Sequence, residues 1–186
     1  GSDPQTIGFV NSTLANTISG CRMAVFYSIL GDVPRNSGSF APIKIMAPEG
    51  TCVNPKFPAS VTMATTGMLC TIAEAIWLAL APAIPSKIAA PHGKSASYNA
   101  RGLNPSTGRI FSIIDFLASA VGSGGTEGYD GWDLGGPSHT MGQLRFPDPE
   151  IMEMATPVHI LRHENVGGME GAGKYRGGHG ARYRVK

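Results

Sequence analysis

The sequence predicts an α+β fold in which two long buried apolar helices pack with short mixed strands and glycine-rich loops. Two segments repeat apolar residues at helical spacing, and several short runs elsewhere are alternating or β-branched. The 25 glycines and 14 prolines among 186 residues are too many for a helix bundle and indicate many ordered turns. We therefore expect residues 1–186 to form a single domain or lobe.

The first predicted helix runs from Leu14 to Leu30. Its apolar residues recur on one helix face, at Ile18, Cys21, Val25 and Ile29. Asn11-Ser12-Thr13 is typical of a helix cap, and Gly31-Asp32 ends the pattern, with Pro34 just beyond. This helix is apolar on most sides, which predicts burial between other elements.

A short strand from Ile43 to Ala47 and a second helix from Val61 to Leu80 are predicted next. Pro48-Glu49-Gly50 closes the strand. The second helix has apolar residues at helical spacing and ends before Pro82 and Pro85, because proline cannot continue a helix. Like the first helix, it is expected to be buried.

The remainder of the chain alternates glycine-rich loops with strands. A glycine-rich zone carries His92, Asn99 and Gly102, and the stretch 122–136 is a second, glycine-dense loop. Strands are predicted at Arg109 to Phe116, Ala155 to His163 and Tyr183 to Lys186.

Charge and cysteine content narrow the class of protein. The net charge is +2 and only 15% of residues are charged, so nucleic acid is not an expected partner, and the low surface charge suggests cover by other protein. Three separated cysteines without a secretion signal indicate a reducing compartment. The longest apolar stretch, Ile76 to Ile84, is too short to span a bilayer. We expect a cytoplasmic protein without a membrane partner.

The candidate catalytic residues are His92, His139, Asp130 and Asp133. Each histidine lies in a polar loop beside or near glycine, and binding groups tend to collect on loops held by rigid elements. The alternative, a structural role for both histidines, remains open. The acidic loop formed by Glu127, Asp130 and Asp133 could bind a cation through oxygen ligands, but its spacing is not that of a calcium site, so solvated carboxylates in a turn are the favoured interpretation.

Asn99 and Trp132 are the candidate substrate-binding residues. Trp132 stands between Gly131 and Asp133, where an aromatic ring either lines a pocket or pins the loop to the core. His159 and His163 are four residues apart, which places them on one face of a helix or of the strand that their surroundings favour, and they are interpreted as packed or solvent-facing. We expect no metal ligand in this segment.

Several short segments, in the same order along the chain, together resemble the hydantoinase B/oxoprolinase family. The series covers nearly the whole chain, with a looser match in the glycine loop 122–133 and the turn His139-Thr140-Met141. The segments that carry the resemblance are residues 1–13, 36–42, 45–55, 156–158 and 167–178.

This resemblance implies a subunit of an ATP-dependent enzyme that opens cyclic amides such as hydantoins, 5-oxoproline or lactams. It implies a hydantoinase A-type subunit that uses ATP to activate the small-molecule substrate, and a divalent metal in the full complex. The metal ligands of the family lie upstream of the matched region, so ATP and metal are not expected to bind this segment. The remainder of the B-type subunit is a further implied partner, because the family continues beyond both ends of this chain. An excised domain, a proteolytic piece or one part of a split subunit is therefore expected.

Two stretches fit the family poorly, residues 86–105 and 143–153. If they line a pocket, the substrate differs from hydantoin or oxoproline. Two alternatives therefore stay open beside a cyclic-amide hydrolase. One is a subunit portion of an acetone/acetophenone-type ketone carboxylase, and the other is a purely structural assembly domain without catalytic residues.

Overall fold

The computed structural model describes residues 2–94, 98–115, 121–140 and 148–186. The fold is mixed, with α-helices and short antiparallel strands. The chain divides into two compact units, residues 1–89 and residues 90–186. The first unit contains the long helices, and the second contains all four described strands.

Helix α1 spans Leu14–Ser28 and confirms the first predicted helix except for its last two residues. It begins where Thr13 adopts an extended conformation and its hydroxyl accepts a hydrogen bond from the backbone N–H of Asn16 at 3.2 Å. This bond satisfies one of the N–H groups that lack a partner at a helix start. The last helical residue is Ser28, and Ile29 is the C-cap, two residues before Gly31.

Helix α3 spans Leu69–Leu80, after a four-residue helix α2 at Ser37–Phe40. The predicted start at Val61 is wrong, because residues 64–68 form a π-helical turn instead of an α-helix. There the backbone N–H of Met68 bonds to the carbonyl of Met63, five residues earlier, at 3.3 Å. Such turns widen the helix locally and shift its register.

Helices α1 and α3 pack closely against each other. Ala24 and Ala73 are fully buried at their contact, and Trp77 is 6% exposed. The indole Nε1 of Trp77 donates a hydrogen bond to the carbonyl oxygen of Ala24 at 2.9 Å. Gly20 permits the close approach, because a Cβ there would lie 3.3 Å from the carbonyl oxygen of Leu69.

The prediction that both long helices are buried is not confirmed. Leu14 and Ile29 on or beside α1 are 43% and 47% exposed, and Leu78 on α3 is 76% exposed. Within the part of the chain that the structure describes, the two helices bury each other at their contact, while these three apolar side chains stay in solvent. No helix in the described ranges is long and apolar enough to cross a membrane.

The predicted strand Ile43 to Ala47 is absent. The segment keeps the alternating burial of a strand, but it pairs with no other strand in the described residues. The carbonyl of Ala47 accepts instead from the side-chain amide of Asn54 at 2.9 Å. Alternation predicts which side chains are partly buried, whereas a strand also needs a neighbour to complete its ladder.

The second unit begins with a hairpin of β1 (Tyr98–Leu103) and β2 (Ile110–Asp115). The strands are antiparallel, with Leu103 opposite Ile110. Strand β2 confirms the predicted strand 109–116 apart from its ends, and residue 116 lies outside the described residues. Strand β1 is not among the predicted strands, because it lies in the glycine-rich zone.

A second hairpin pairs β3 (Ile160–Val166) with β4 (Gly180–Val185). His163 lies opposite Tyr183, and their rings meet edge to face at 5.2 Å. Helix α4 at Pro149–Ala155 precedes this hairpin and is not among the predicted helices. The predicted strand from Ala155 therefore starts five residues too early, and the predicted terminal strand is confirmed as part of β4.

Candidate functional site

Three glycine-rich segments of the second unit, residues 90–93, 121–136 and 171–180, lie backbone against backbone. The N–H of Ser123 donates to the carbonyl of Trp132 at 3.0 Å, and that of Gly178 donates to Ser123 at 2.9 Å. Gly131 bonds in the same way to Arg176 at 2.7 Å. These main-chain bonds fix the loops without a core of large side chains.

The glycines of this framework are required by space. A Cβ at Gly122 or Gly124 would lie 1.8 Å from a backbone carbonyl oxygen of the neighbouring segment. At Gly131 and Gly178 the corresponding distances are 2.1 Å and 2.0 Å. No side chain fits at such distances, so the density of glycine in the sequence reflects close backbone packing.

A cleft of about 750 Å³ opens beside this framework. Its floor includes the backbone of residues 121–125, and its walls carry both aromatic and charged side chains. The side chains that matter for its chemistry are Met169, Glu170, Tyr175, Arg182 and Tyr183. A concave, largely apolar cleft with few polar groups is typical of a small-molecule site.

Asp130 and Asp133 are brought together with Arg176. The carboxylate of Asp130 accepts the backbone N–H of Arg176 at 2.9 Å and lies 3.7 Å from its guanidinium Nε. Asp133 Oδ1 accepts the backbone N–H of His179 at 2.8 Å and the Arg176 guanidinium at 3.2 Å. The His179 N–H, and after it the Arg176 guanidinium, lowers the pKa of Asp133.

His179 lies between two carboxylates. Its Nδ1 is 3.5 Å from Asp133 Oδ2, and its Nε2 is 3.5 Å from Glu170 Oε1. The pKa of Glu170 is lowered by its own backbone N–H first and by that of Gly168 next, with a contribution from His179. The network therefore joins the acidic loop to the cleft wall at Glu170.

Sequence reasoning missed Arg176, His179 and Glu170 as members of this network. Arg176 and His179 are separated from the acidic loop by more than forty residues, so local spacing does not reveal the pairing. The one local signal is that ionisable residues interrupt the glycine-rich stretch 171–180. Where backbones pack this closely, a side chain is accommodated only at positions that face open space.

Two of the predicted site residues flank the cleft framework. His92 is half-buried between Pro91 and Gly93, both of which line the cleft. The ring of Trp132 is exposed, at 67%, while its backbone N–H donates to Ser123 Oγ at 2.6 Å. Trp132 is thus fixed through its main chain, and its ring is presented to solvent.

The remaining two predicted residues lie on other segments. His139 is in a 3₁₀ turn at Ser138–Thr140, and Asn99 is on the exposed face of β1. Neither turn nor strand is among the described segments that line the cleft. The structure therefore groups Asp130, Asp133 and Trp132 on one loop. His92 lies between two residues that line the cleft without lining it itself, and His139 and Asn99 lie elsewhere in the unit.

The acidic loop does not fit a divalent metal. Two of its carboxylates, those of Asp130 and Asp133, are engaged by a guanidinium and by backbone N–H groups. Across residues 2–94, 98–115, 121–140 and 148–186, no group of three His, Cys, Asp or Glu side chains is arranged to hold a metal ion. Arg176 therefore compensates part of the charge of Asp130 and Asp133.

The chain belongs to the Hydantoinase B/oxoprolinase family, whose pattern matches residues 1–186. It is 33% identical over 187 residues to the beta subunit of caprolactamase from Pseudomonas jessenii, covering 100% of this chain and 32% of that protein. It is 31% identical to the B subunit of a putative D-/L-hydantoinase from Pseudomonas sp. (strain NS671), covering 97% and 31%. The chain thus spans about a third of the length of these relatives.

Solved structures carry the same fold. The crystal structure of the ATP-dependent caprolactamase from Pseudomonas jessenii superposes with a TM-score of 0.87 at 32% identity, over 99% of this chain and 32% of that one. A nucleotide-free acetone carboxylase structure gives 0.80 at 22% identity, over 94% and 24%. At that identity the second likeness concerns the fold alone.

Proposed function

We propose that this chain is part of the B-type subunit of an ATP-dependent cyclic-amide hydrolase. The observation that carries the proposal is the similarity of its whole length to the caprolactamase beta subunit. In this proposal a hydantoinase A-type partner uses ATP to activate the substrate, and the B-type subunit then acts on the activated intermediate. The assembly is cytoplasmic.

The chain contributes the cleft wall of the second unit to this reaction. The glycine framework excludes side chains from the cleft floor, so a small substrate approaches the main chain closely. His92 is the residue that we assign to proton transfer, because it lies between two residues that line the cleft. Asp130 and Asp133 act as positioning residues, since both hold the segment of Arg176 and His179.

Trp132, Asn99 and His139 have different proposed contributions. The exposed ring of Trp132 provides an apolar contact for substrate or for a covering subunit. Asn99 on the exposed face of β1 and His139 in its turn contact groups supplied by the rest of the assembly. ATP and a divalent metal are assigned to parts of the assembly outside this segment, as the family resemblance implies, and the carboxylates of Asp130 and Asp133 are engaged by Arg176.

The test is ring opening by the assembled enzyme. We would assay ATP-dependent hydrolysis of caprolactam, hydantoin and 5-oxoproline with the chain in its complete B-type subunit and an A-type partner. His92→Ala is expected to lower kcat at least tenfold, whereas His159→Ala, a change at a histidine with 72% side-chain exposure, leaves it unchanged. If the two variants had equal kcat values, His92 would have no role in proton transfer.

The same preparation separates the ketone carboxylase alternative. Incorporation of labelled bicarbonate into acetone, without hydrolysis of any cyclic amide, would overturn the hydrolase proposal. If a variant with His92, His139, Asp130 and Asp133 all changed to alanine kept full turnover, this chain would have no catalytic residue among these four. The result would then support the structural assembly role.

A further inference from the structure

Two loops of the first unit hold four large apolar side chains in solvent. Ile7 is fully exposed, Phe57 is 97% exposed, and Phe9 and Val10 are 56% and 46% exposed. We call these four residues the Ile7–Phe57 patch. Single exposed apolar residues are ordinary, but four on two connected loops are typical of a contact surface.

Asn11 fixes the shape of the first loop. Its side chain is fully buried, and its Oδ1 accepts the backbone N–H of Thr6 at 2.9 Å. Its Nδ2 lies within donating distance of three carbonyl oxygens, those of Thr6, Gly8 and Ser60, at 2.9 to 3.0 Å. One buried amide thus holds the loop on both sides of Ile7 and ties it to the second loop.

The two loops are also bonded directly to each other. The backbone N–H of Lys56 donates to Gln5 Oε1 at 2.7 Å, and that of Met63 donates to the carbonyl of Phe9 at 3.0 Å. The first bond lies next to Phe57, and the two bonds meet the first loop two residues before and two residues after Ile7. The backbone under the patch is therefore ordered before any partner arrives, which reduces the entropy cost of binding.

The cation next to Phe57 in the sequence is already paired with an acidic side chain. Lys56, next to Phe57, has its Nζ 3.4 Å from the carboxylate of Glu49. A nucleic acid or an anionic membrane surface would need unpaired positive charge at this position. The chemistry of the patch instead fits an apolar protein surface.

We propose that the Ile7–Phe57 patch docks on an apolar surface of the part of a B-type subunit that this chain does not include. The chain spans 32% of the caprolactamase beta subunit, so about two thirds of that relative has no counterpart here to cover the patch. This inference rests on the proposed function. Aromatic side chains such as those of Phe9 and Phe57 are enriched in the buried centre of protein interfaces.

The test measures binding of the chain to a caprolactamase beta subunit from which the matching third has been deleted. The matching third of that protein serves as the positive control. We compare the unmodified chain, the double variant Ile7→Ser with Phe57→Ser, and the control Met154→Ser, whose side chain is 84% exposed in the other unit. All altered side chains lie in solvent, so circular dichroism should be the same for every variant.

We expect the double variant to bind at least tenfold more weakly and Met154→Ser to bind as the unmodified chain does. Binding by the double variant within twofold of the unmodified chain would overturn the inference. It would also be overturned if only the positive control bound, or if the patch substitutions acted solely by dissociating a homodimer of this chain. Binding without ATP-dependent ring opening in the complete enzyme would instead count against the proposed function alone.

Discussion

Asp133 contacts His179 through both of its carboxylate oxygens. Oδ1 accepts the His179 backbone N–H at 2.8 Å, and Oδ2 lies 3.5 Å from the ring Nδ1. The same Oδ1 accepts from Arg176 at 3.2 Å. One side chain of the acidic loop therefore holds the segment 176–179 in place across 46 residues of sequence.

Asp133→Asn is expected to lower the free energy of unfolding by about 1 kcal/mol, because a charge-assisted hydrogen bond at a partly exposed site is replaced by a neutral one. Chemical denaturation followed by circular dichroism measures this change. The control is Asp32→Asn, at an exposed position beyond the end of α1. If both variants unfold at the same denaturant concentration, the Asp133 contacts do not stabilise the loop.

Stability is expected to fall in acid because of Asp133 and Glu170. Both carboxyl pKa values are lowered in the folded chain, from ordinary values of 3.8 and 4.5. The unfolded chain therefore binds these protons at higher pH than the folded chain does. The stabilisation that the two carboxylates contribute is complete at a pH above their ordinary pKa values. It is lost as the pH falls through their lower pKa values in the folded chain.

Melting temperatures recorded between pH 7 and pH 3 test this dependence. The unmodified chain should lose stability below about pH 4.5, near the ordinary glutamate value. A double variant Asp133→Asn with Glu170→Gln should show a shallower loss over the same range. Parallel curves for the two proteins would assign acid sensitivity to other carboxyl groups.

Gly124→Ala is expected to destabilise the second unit by ~3 kcal/mol or more, since overpacking against backbone cannot be relieved by a rotamer change. The added Cβ would lie 1.8 Å from the carbonyl oxygen of Ala90. Gly171→Ala is the matched control, because no atom lies within 4 Å of a Cβ built there. Thermal unfolding of both variants measures the difference, and similar melting temperatures would contradict the close backbone packing.

The elements that the sequence predicts well are those whose signal is local. Helix α1 has both a repeating apolar face and a cap at Thr13, so its start is correct to the residue. Helix α4 has only seven residues, too few for periodicity, although Asp148-Pro149 provides a helix-start signal that was available. Strand β1 has a glycine in its interior, which weakens strand propensity.

The features that local reasoning missed depend on distant partners. Ile43 to Ala47 alternates as a strand should, but strand formation depends on a neighbour that local alternation cannot specify. The pairing of Asp130 with Arg176 joins positions 46 apart. The sequence identifies Asp130 and Asp133 as candidates. It does not identify Arg176 as their partner, because that pairing depends on how the glycine-rich segments pack together.

Trp77→Phe is expected to cost about 1–2 kcal/mol of stability, because it removes the hydrogen bond from the indole to the Ala24 carbonyl and part of the ring volume. Trp77→Ala should cost about 3–5 kcal/mol, since it leaves a cavity between α1 and α3. Leu78→Ala is the control on the same helix, because Leu78 is 76% exposed and its truncation should change stability by no more than about 0.5 kcal/mol. Urea unfolding monitored by circular dichroism gives all three values. A loss for Leu78→Ala as large as that for Trp77→Ala would mean that the contact between the two helices is not where the first unit derives its stability.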